Sequence, residues 1–183
     1  GTIADHLPAE HVYPYELHTP LFSDYASKHR FFKIPEGKQI RYSKEGTIQF
    51  PIGTVISKTF AYPIDMTAPS QGERLLETRI EFRRDDGWFG FSYLWNEQQT
   101  EATLALGGSE IDVSWIHTDG KQRSNRYQVP NANQCLNCHQ QGDQFVPIGP
   151  VAANLNGNWD YGHGSRNQLA AWTEQDLLAE APS

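Results

Sequence analysis

The chain has 183 residues, with 22 acidic against 15 basic side chains and a formal charge of −7. That balance excludes nucleic acid and an anionic membrane surface as natural partners, since both attract cationic surfaces. No apolar run approaches the about 18 residues of a membrane-spanning helix, and the length fits one ordinary core.

Residues 1–30 are rich in His, Pro and Tyr and show weak periodicity. They predict an N-terminal arm that packs on the domain, with one short helix near Ser23–Lys28. His6 and His11 are potential metal ligands, but on a loose arm the ordinary expectation is surface histidine. Residues 31–183 predict a single domain. Its strands begin with Arg30–Ile34, which stops at the turn residues Pro35-Glu36-Gly37. Gln39–Tyr42, Thr47–Phe50 and the β-branched, aromatic run Thr54–Tyr62 follow.

Leu75–Arg83 alternates strictly. Leu76, Thr78, Ile80 and Phe82 share one face and Glu77, Arg79, Glu81 and Arg83 the other, the period of a half-buried strand. Asp85-Asp86-Gly87 turns the chain, and the aromatic run Trp88–Asn96 returns. Ala102–Leu106, Ile111–His117 and Arg126–Val129 extend the meander. Asn133 is placed to cap a short helix. Gln140–Val146 and Pro147–Pro150 read as a loop, and Asn167–Glu180 as a helix with Leu169, Trp172, Leu177 and Leu178 on its apolar side. The predicted class is mainly β (α+β): an antiparallel sheet with helices around and after residue 133.

The short helix would carry Cys135-Leu136-Asn137-Cys138-His139, a C-x-x-C-H motif that contains both cysteines of the chain. This is the attachment signature of a c-type haem. Two thiols at that spacing add to the two vinyl groups of one porphyrin, and the following histidine lies under the iron. A redox C-x-x-C pair would need a βαβ setting. A zinc site would need two further ligands at a recognisable spacing, and a plain disulfide leaves His139 without a role. The motif therefore predicts one covalent haem c, with Cys135 and Cys138 as anchors and His139 as proximal iron ligand. Haem c is attached outside the cytoplasm, so a bacterial periplasmic or secreted location is expected. Gly1-Thr2-Ile3 has no signal-peptide character, so an export signal would have been removed.

Four segments carry a resemblance: Tyr15–Ala26, Phe50–Val55, Glu77-Thr78-Arg79 and Asn133-Gln134-Cys135. Together they resemble a family of secreted bacterial monohaem c domains of unassigned activity, over nearly the whole chain. Members of that family often sit beside a small monohaem cytochrome or a sugar-related module. Gly53–Lys58, the aromatic strand Trp88–Tyr93 and the late C-x-x-C-H are similar to the lysine-cross-linked hydroxylamine-oxidising cytochromes and the cytochromes c′-beta. That second resemblance implies an antiparallel β fold holding one haem, with Lys58 matching the lysine that bonds the porphyrin. The chain departs from it in a longer tail and in a C-terminal part crowded with Arg, Gln and Asn.

The ligand opposite His139 stays undecided by the residues. Met66, the only methionine, would raise the potential; His117, His163 and His18 are alternatives, as is an open or water-bound face. Lys58 is read equally as pocket-facing or solvent-facing, and Glu97 as a distal acid or a turn residue. Arg79, Arg83 and Arg84 suit haem propionates. No nucleophile elbow, phosphate loop, dinucleotide fingerprint or H-E-x-x-H motif is present. The expected function is extracytoplasmic single-electron transfer with a redox protein partner, a secreted oxidoreductase or another cytochrome. A haem enzyme or a gas-binding module acting on small nitrogen or oxygen species is the alternative.

Overall fold

A computed structural model describes residues 5–131, 134, 139–141, 144–161 and 164–179. The first strands are β1 (Tyr13–Pro14), β2 (Ser27–Lys33), β3 (Ile40–Arg41) and β4 (Val55–Pro63). Next come β5 (Glu73–Arg84), β6 (Gly87–Trp95), β7 (Ala102–Leu104), β8 (Ser109–Ile116) and β9 (Gln122–Val129). Then follow β10 (Gln140–Gln141), β11 (Gln144–Phe145), a helical turn α1 (Ala152–Leu155), β12 (Asn158–Asp160), β13 (Ser165–Asn167), α2 (Gln168–Glu174) and β14 (Leu178–Ala179). The architecture is mainly β. The main sheet has the order β1-β2-β4-β5-β6-β7 and is antiparallel throughout.

Register fixes which side chains share a face, because cross-strand partners point the same way. Arg30 lies opposite Lys58, Lys58 opposite Arg79 and Arg79 opposite Ser92. Flanking rows on this inner face run Phe32–Ile56–Glu81–Gly90 and Lys28–Phe60–Glu77–Leu94. Two apolar clusters cover its ends. One joins Phe32 and Ile56 to Tyr15, Leu155, Leu169 and Trp172 of the arm and the C-terminal part. The other joins Phe60 and Tyr62 to Val113, Trp115, Tyr127 and Val129 of the β8–β9 hairpin. Between the clusters lies a belt of ionisable side chains.

The long hairpin forms as its sequence predicts, with Arg84 opposite Gly87 across Asp85-Asp86. Several expectations change. No helix forms near Ser23–Lys28: Asp24 and Tyr25 take φ values of 49° and 70°, which closes a turn, and β2 begins at Ser27. The arm, expected to be irregular as it packs on the domain, carries a short strand: β1 pairs with β2, and Tyr15 and Leu17 are buried. β8 and β9 leave the meander and form a separate hairpin, bridged to the loop after β4 through Asp65 and Ile116. The C-terminal helix is shorter than expected. Asn167 caps it by accepting from the Ala170 N–H at 3.1 Å. Asp176, with φ 61°, ends it and sends Leu178-Ala179 to pair in parallel with Ile40-Arg41. Asn133 lies outside the described residues, while Gln134 and His139 have helical backbone. Among the described residues no helix is long and apolar enough to cross a membrane.

Candidate functional site

The backbone just after His139 returns to it. β10 pairs with β11, and Val146 N–H donates to the His139 carbonyl at 2.7 Å. The side chain returns the bond, since His139 Nδ1 lies 3.0 Å from the Val146 carbonyl oxygen. A carbonyl only accepts, so Nδ1 carries the proton and Nε2 keeps its lone pair. Phe145 stacks on the imidazole, with centroids 4.9 Å apart and planes 11° from parallel. The ring is buried, and Phe145 in turn rests on Gly90 of β6. A Cβ at Gly90 would meet Phe145 Cζ at 3.1 Å, so the missing side chain is what admits the phenyl ring. A sheet glycine used for close approach of another group is an expected role.

Below His139 lies the ionisable belt. Glu81 Oε1 is 3.5 Å from His139 Nδ1. Arg79 grips Glu77 with two N–H donors, at 2.6 and 3.1 Å, and its guanidinium lies 4.3 Å from the centre of the Phe60 ring. Tyr127 Oη donates to the same Glu77 at 2.6 Å. Arg30 pairs with Glu16. Burial holds the His139 imidazole down at about 4, and the charges of Lys58 and Arg79 push it the same way against the Val146 hydrogen bond. The histidine is therefore neutral, which is its ligand form. Burial also lowers the Lys58 amine and raises the Glu81 carboxyl, while each opposes the other's shift through its charge.

Of the residues predicted for the site, three come together: His139, Lys58 and Arg79. Cys135, Cys138 and His163 lie outside the described residues. Met66 packs beside the β8–β9 cluster, its N–H bonded to the Ile116 carbonyl at 2.9 Å, and is not among the side chains gathered at His139. His117 is held by Trp115 Nε1–H, at 3.5 Å, and by the edge of Tyr25. His18 and Glu97 are exposed. Arg84 is half-exposed and lies over Phe89 on the outer face.

Sequence reading missed Glu81, Gly90, Phe145, Val146 and Ser92. The charged stripe of β5 was visible, but not its depth: Glu77 and Glu81 are 0% and 7% exposed, as buried as Leu76 and Thr78 of the apolar side, whereas Ile80 and Phe82 are only half-buried. One feature of the site bears on a bound group. Ser92 Oγ, in the row of Lys58 and Arg79, is buried with no hydrogen-bond partner among the described residues. The neutral, oriented imidazole is a donor of the kind a c-type haem takes, while the guanidinium groups of Arg79 and Arg30 are already paired with Glu77 and Glu16. No family model, curated protein or solved structure matches this chain.

Proposed function

We propose that this chain is a monohaem c-type cytochrome domain that exchanges single electrons with a protein partner outside the cytoplasm. Cys135 and Cys138 would hold the porphyrin and His139 its iron. When bound, the haem would supply the reversible Fe(III)/Fe(II) couple. The observation that carries the reading is the motif histidine itself. His139 is buried, its Nδ1–H is spent on the Val146 carbonyl, and its other nitrogen is left with the lone pair an iron ligand needs. A plain disulfide gives this fixed tautomer no task, and a structural zinc would need ligands beyond the two cysteines and the one histidine of the motif.

The protein residues would act as a mount rather than as chemical participants. The two-way clasp between His139 and Val146 orients the imidazole, and Phe145 limits its rotation. Such orientation by an outer partner raises ligand basicity and typically governs metal affinity by about 10–100-fold. The acidic surface, with its charge of −7, would steer a basic partner. The enzyme reading keeps one point in its favour: Lys58 is half-buried in the belt and its charge is felt at His139.

Two measurements decide between these. Denaturing mass spectrometry of protein matured in a haem-attaching host should give the polypeptide plus one haem, retained through acid–acetone. Haem that is stripped by that treatment, or absent, overturns the reading. Reduced protein mixed with a candidate oxidoreductase or cytochrome should then reoxidise in a single exponential set by partner concentration. Sustained turnover of oxygen, peroxide or hydroxylamine, with no exchange to protein partners, would move the assignment to the enzyme.

A further inference from the structure

A second histidine cluster sits on the opposite face of the sheet. In β2, Arg30 points to the inner face, so the neighbouring His29 points outward. Ser27 and, at the start of β5, Glu73 lie on the same outer side, where Ser27 Oγ lies 2.6 Å from Glu73 Oε2, the nearer acceptor of its one proton, and 3.0 Å from the Ala61 carbonyl oxygen. The arm brings His6 to this spot from 67 residues before Glu73. His6 Nε2 and His29 Nε2 each lie 2.5 Å from one atom, Glu73 Oε1. The imidazoles are stacked, 3.4 Å between centroids and 14° apart in plane. His29 Nε2, although so close to the carboxylate, has no hydrogen-bond alignment to it and is buried without another partner among the described residues.

Two stacked imidazoles that aim the same nitrogen at one carboxylate oxygen are poorly explained by hydrogen bonding alone. One oxygen then serves two donors, and one of those is out of line. The arrangement is natural for three ligands of a common ion. The three ligand atoms all lie within 4.8 Å of one another, as atoms each about 2.0–2.2 Å from one metal must. We propose that His6, His29 and Glu73 bind a divalent transition-metal ion of the zinc class. Two imidazoles and one carboxylate suit zinc, not calcium or magnesium, which take oxygen ligands. The Ser27 hydroxyl orients the carboxylate from behind, and the fourth position faces solvent, since the three side chains remain 18–28% exposed.

The ion would staple the arm to the sheet. Beyond His6, the residues Leu7, Pro8, Ala9 and Val12 roof a cavity of about 320 Å³ over Phe31 and Ile80 of the outer face. His11, the other histidine of the arm, takes no part: it is exposed and pairs only with Glu10, at 3.4 Å.

The test uses the haem-loaded full chain, stripped with a chelator and titrated with zinc by isothermal calorimetry. One equivalent should bind, raise Tm, and protect the segment before β1 from limited proteolysis. His6→Ala, His29→Ala and Glu73→Gln should each weaken binding at least tenfold, and His11→Ala should leave it unchanged. His6→Ala changes only an arm residue, and its circular dichroism should match the parent, which separates lost binding from lost fold. No stoichiometric zinc uptake by the parent chain, or uptake that His6→Ala and His29→Ala leave intact, overturns the proposal. Neither result depends on the state of the haem motif, so this site and the cytochrome reading stand or fall separately.

Discussion

On the outer face of β5, Phe82 stacks on Phe89 and Phe91 with centroids 5.5 and 5.8 Å apart, and this aromatic ladder stays half-exposed. On the inner face of the same strand, Glu77 and Glu81 are buried. Polarity alone would have put the phenyl rings inside and the carboxylates outside. What covers a face decides instead. The β8–β9 hairpin, His139 and Phe145 lie over the inner side, and Glu77 and Arg30 there are tolerated because they are partnered. Glu77 has Arg79 and Tyr127; Arg30 has Glu16. A buried ion belt of this kind is weak evidence for stability. Its position under the motif histidine is the better reason to connect it with function.

The largest effect should come from the motif. His139→Ala, made with both cysteines intact, should leave haem attached but lose its native ligation, with a clear change in the visible spectrum of both redox states. Met66→Ala should change that spectrum far less if the side chains gathered at His139 are the ones that matter. If the two substitutions act equally, Met66 reaches the iron and the inner-face site is larger than described.

Next is Glu77→Ala. It would remove the buried carboxylate that Arg79 and the Tyr127 hydroxyl share, with an expected loss of about 3–5 kcal/mol in urea unfolding. On the outer face, Arg84→Ala should change stability by no more than about 0.5 kcal/mol, and Phe89→Ala by about 1 kcal/mol through the cross-strand pair. A costlier Phe89→Ala than Glu77→Ala would reverse the assignment of the two faces.

Gly90→Val probes the junction between sheet and motif. A side chain there meets Phe145, already 3.1 Å from an ideal Cβ. Overpacking of this kind costs about 1–3 kcal/mol, and because Phe145 is stacked on His139, the strain should also appear in the visible spectrum. A loss of stability with no spectral change would mean that Phe145 does not brace the imidazole.

Much of this was legible because it is local. The alternation of Leu75–Arg83, the Asp85-Asp86-Gly87 turn and the C-x-x-C-H spacing each lie within a few residues. The side of β5 that is buried was not legible, because it depends on Tyr127, which meets Glu77, and on His139, which meets Glu81, both far along the chain. The start of β2 was hidden by a turn in which Asp24 and Tyr25 adopt positive φ, a conformation that Asp favours but that is uncommon for Tyr. His6 read as surface because its partners, His29 and Glu73, are far away in sequence and share no spacing rule. A charged stripe as regular as Glu77, Arg79, Glu81 was the one local signal of a non-local site.

Lys58→Ala is a smaller test within the belt. Glu81 is buried and Lys58 half-buried, and desolvation opposes the charge on each. If the amine faces the bound group, its removal should alter the visible spectrum or the affinity for carbon monoxide. Unchanged spectrum and affinity would leave Lys58 as a counter-charge to Glu81 and end the analogy with hydroxylamine-oxidising cytochromes.

The smallest effect concerns salt, and it separates buried from exposed charge. Raising ionic strength from about 10 to about 150 mM shortens the screening length from about 30 to about 8 Å. Exposed charges feel this and buried ones hardly do. Electron exchange between the reduced domain and a basic partner should therefore slow, by less than about tenfold, as steering by the acidic surface weakens. The penalty for Glu77→Ala should stay constant over the same range, because water and ions do not reach a carboxylate that is 0% exposed. Stopped-flow reoxidation and urea unfolding, run side by side at each salt concentration, give both curves. A flat exchange rate would mean that the partner docks without electrostatic steering. A stability penalty that shrinks with salt would mean that the belt is open to solvent, and that its charges serve the surface rather than the site under His139.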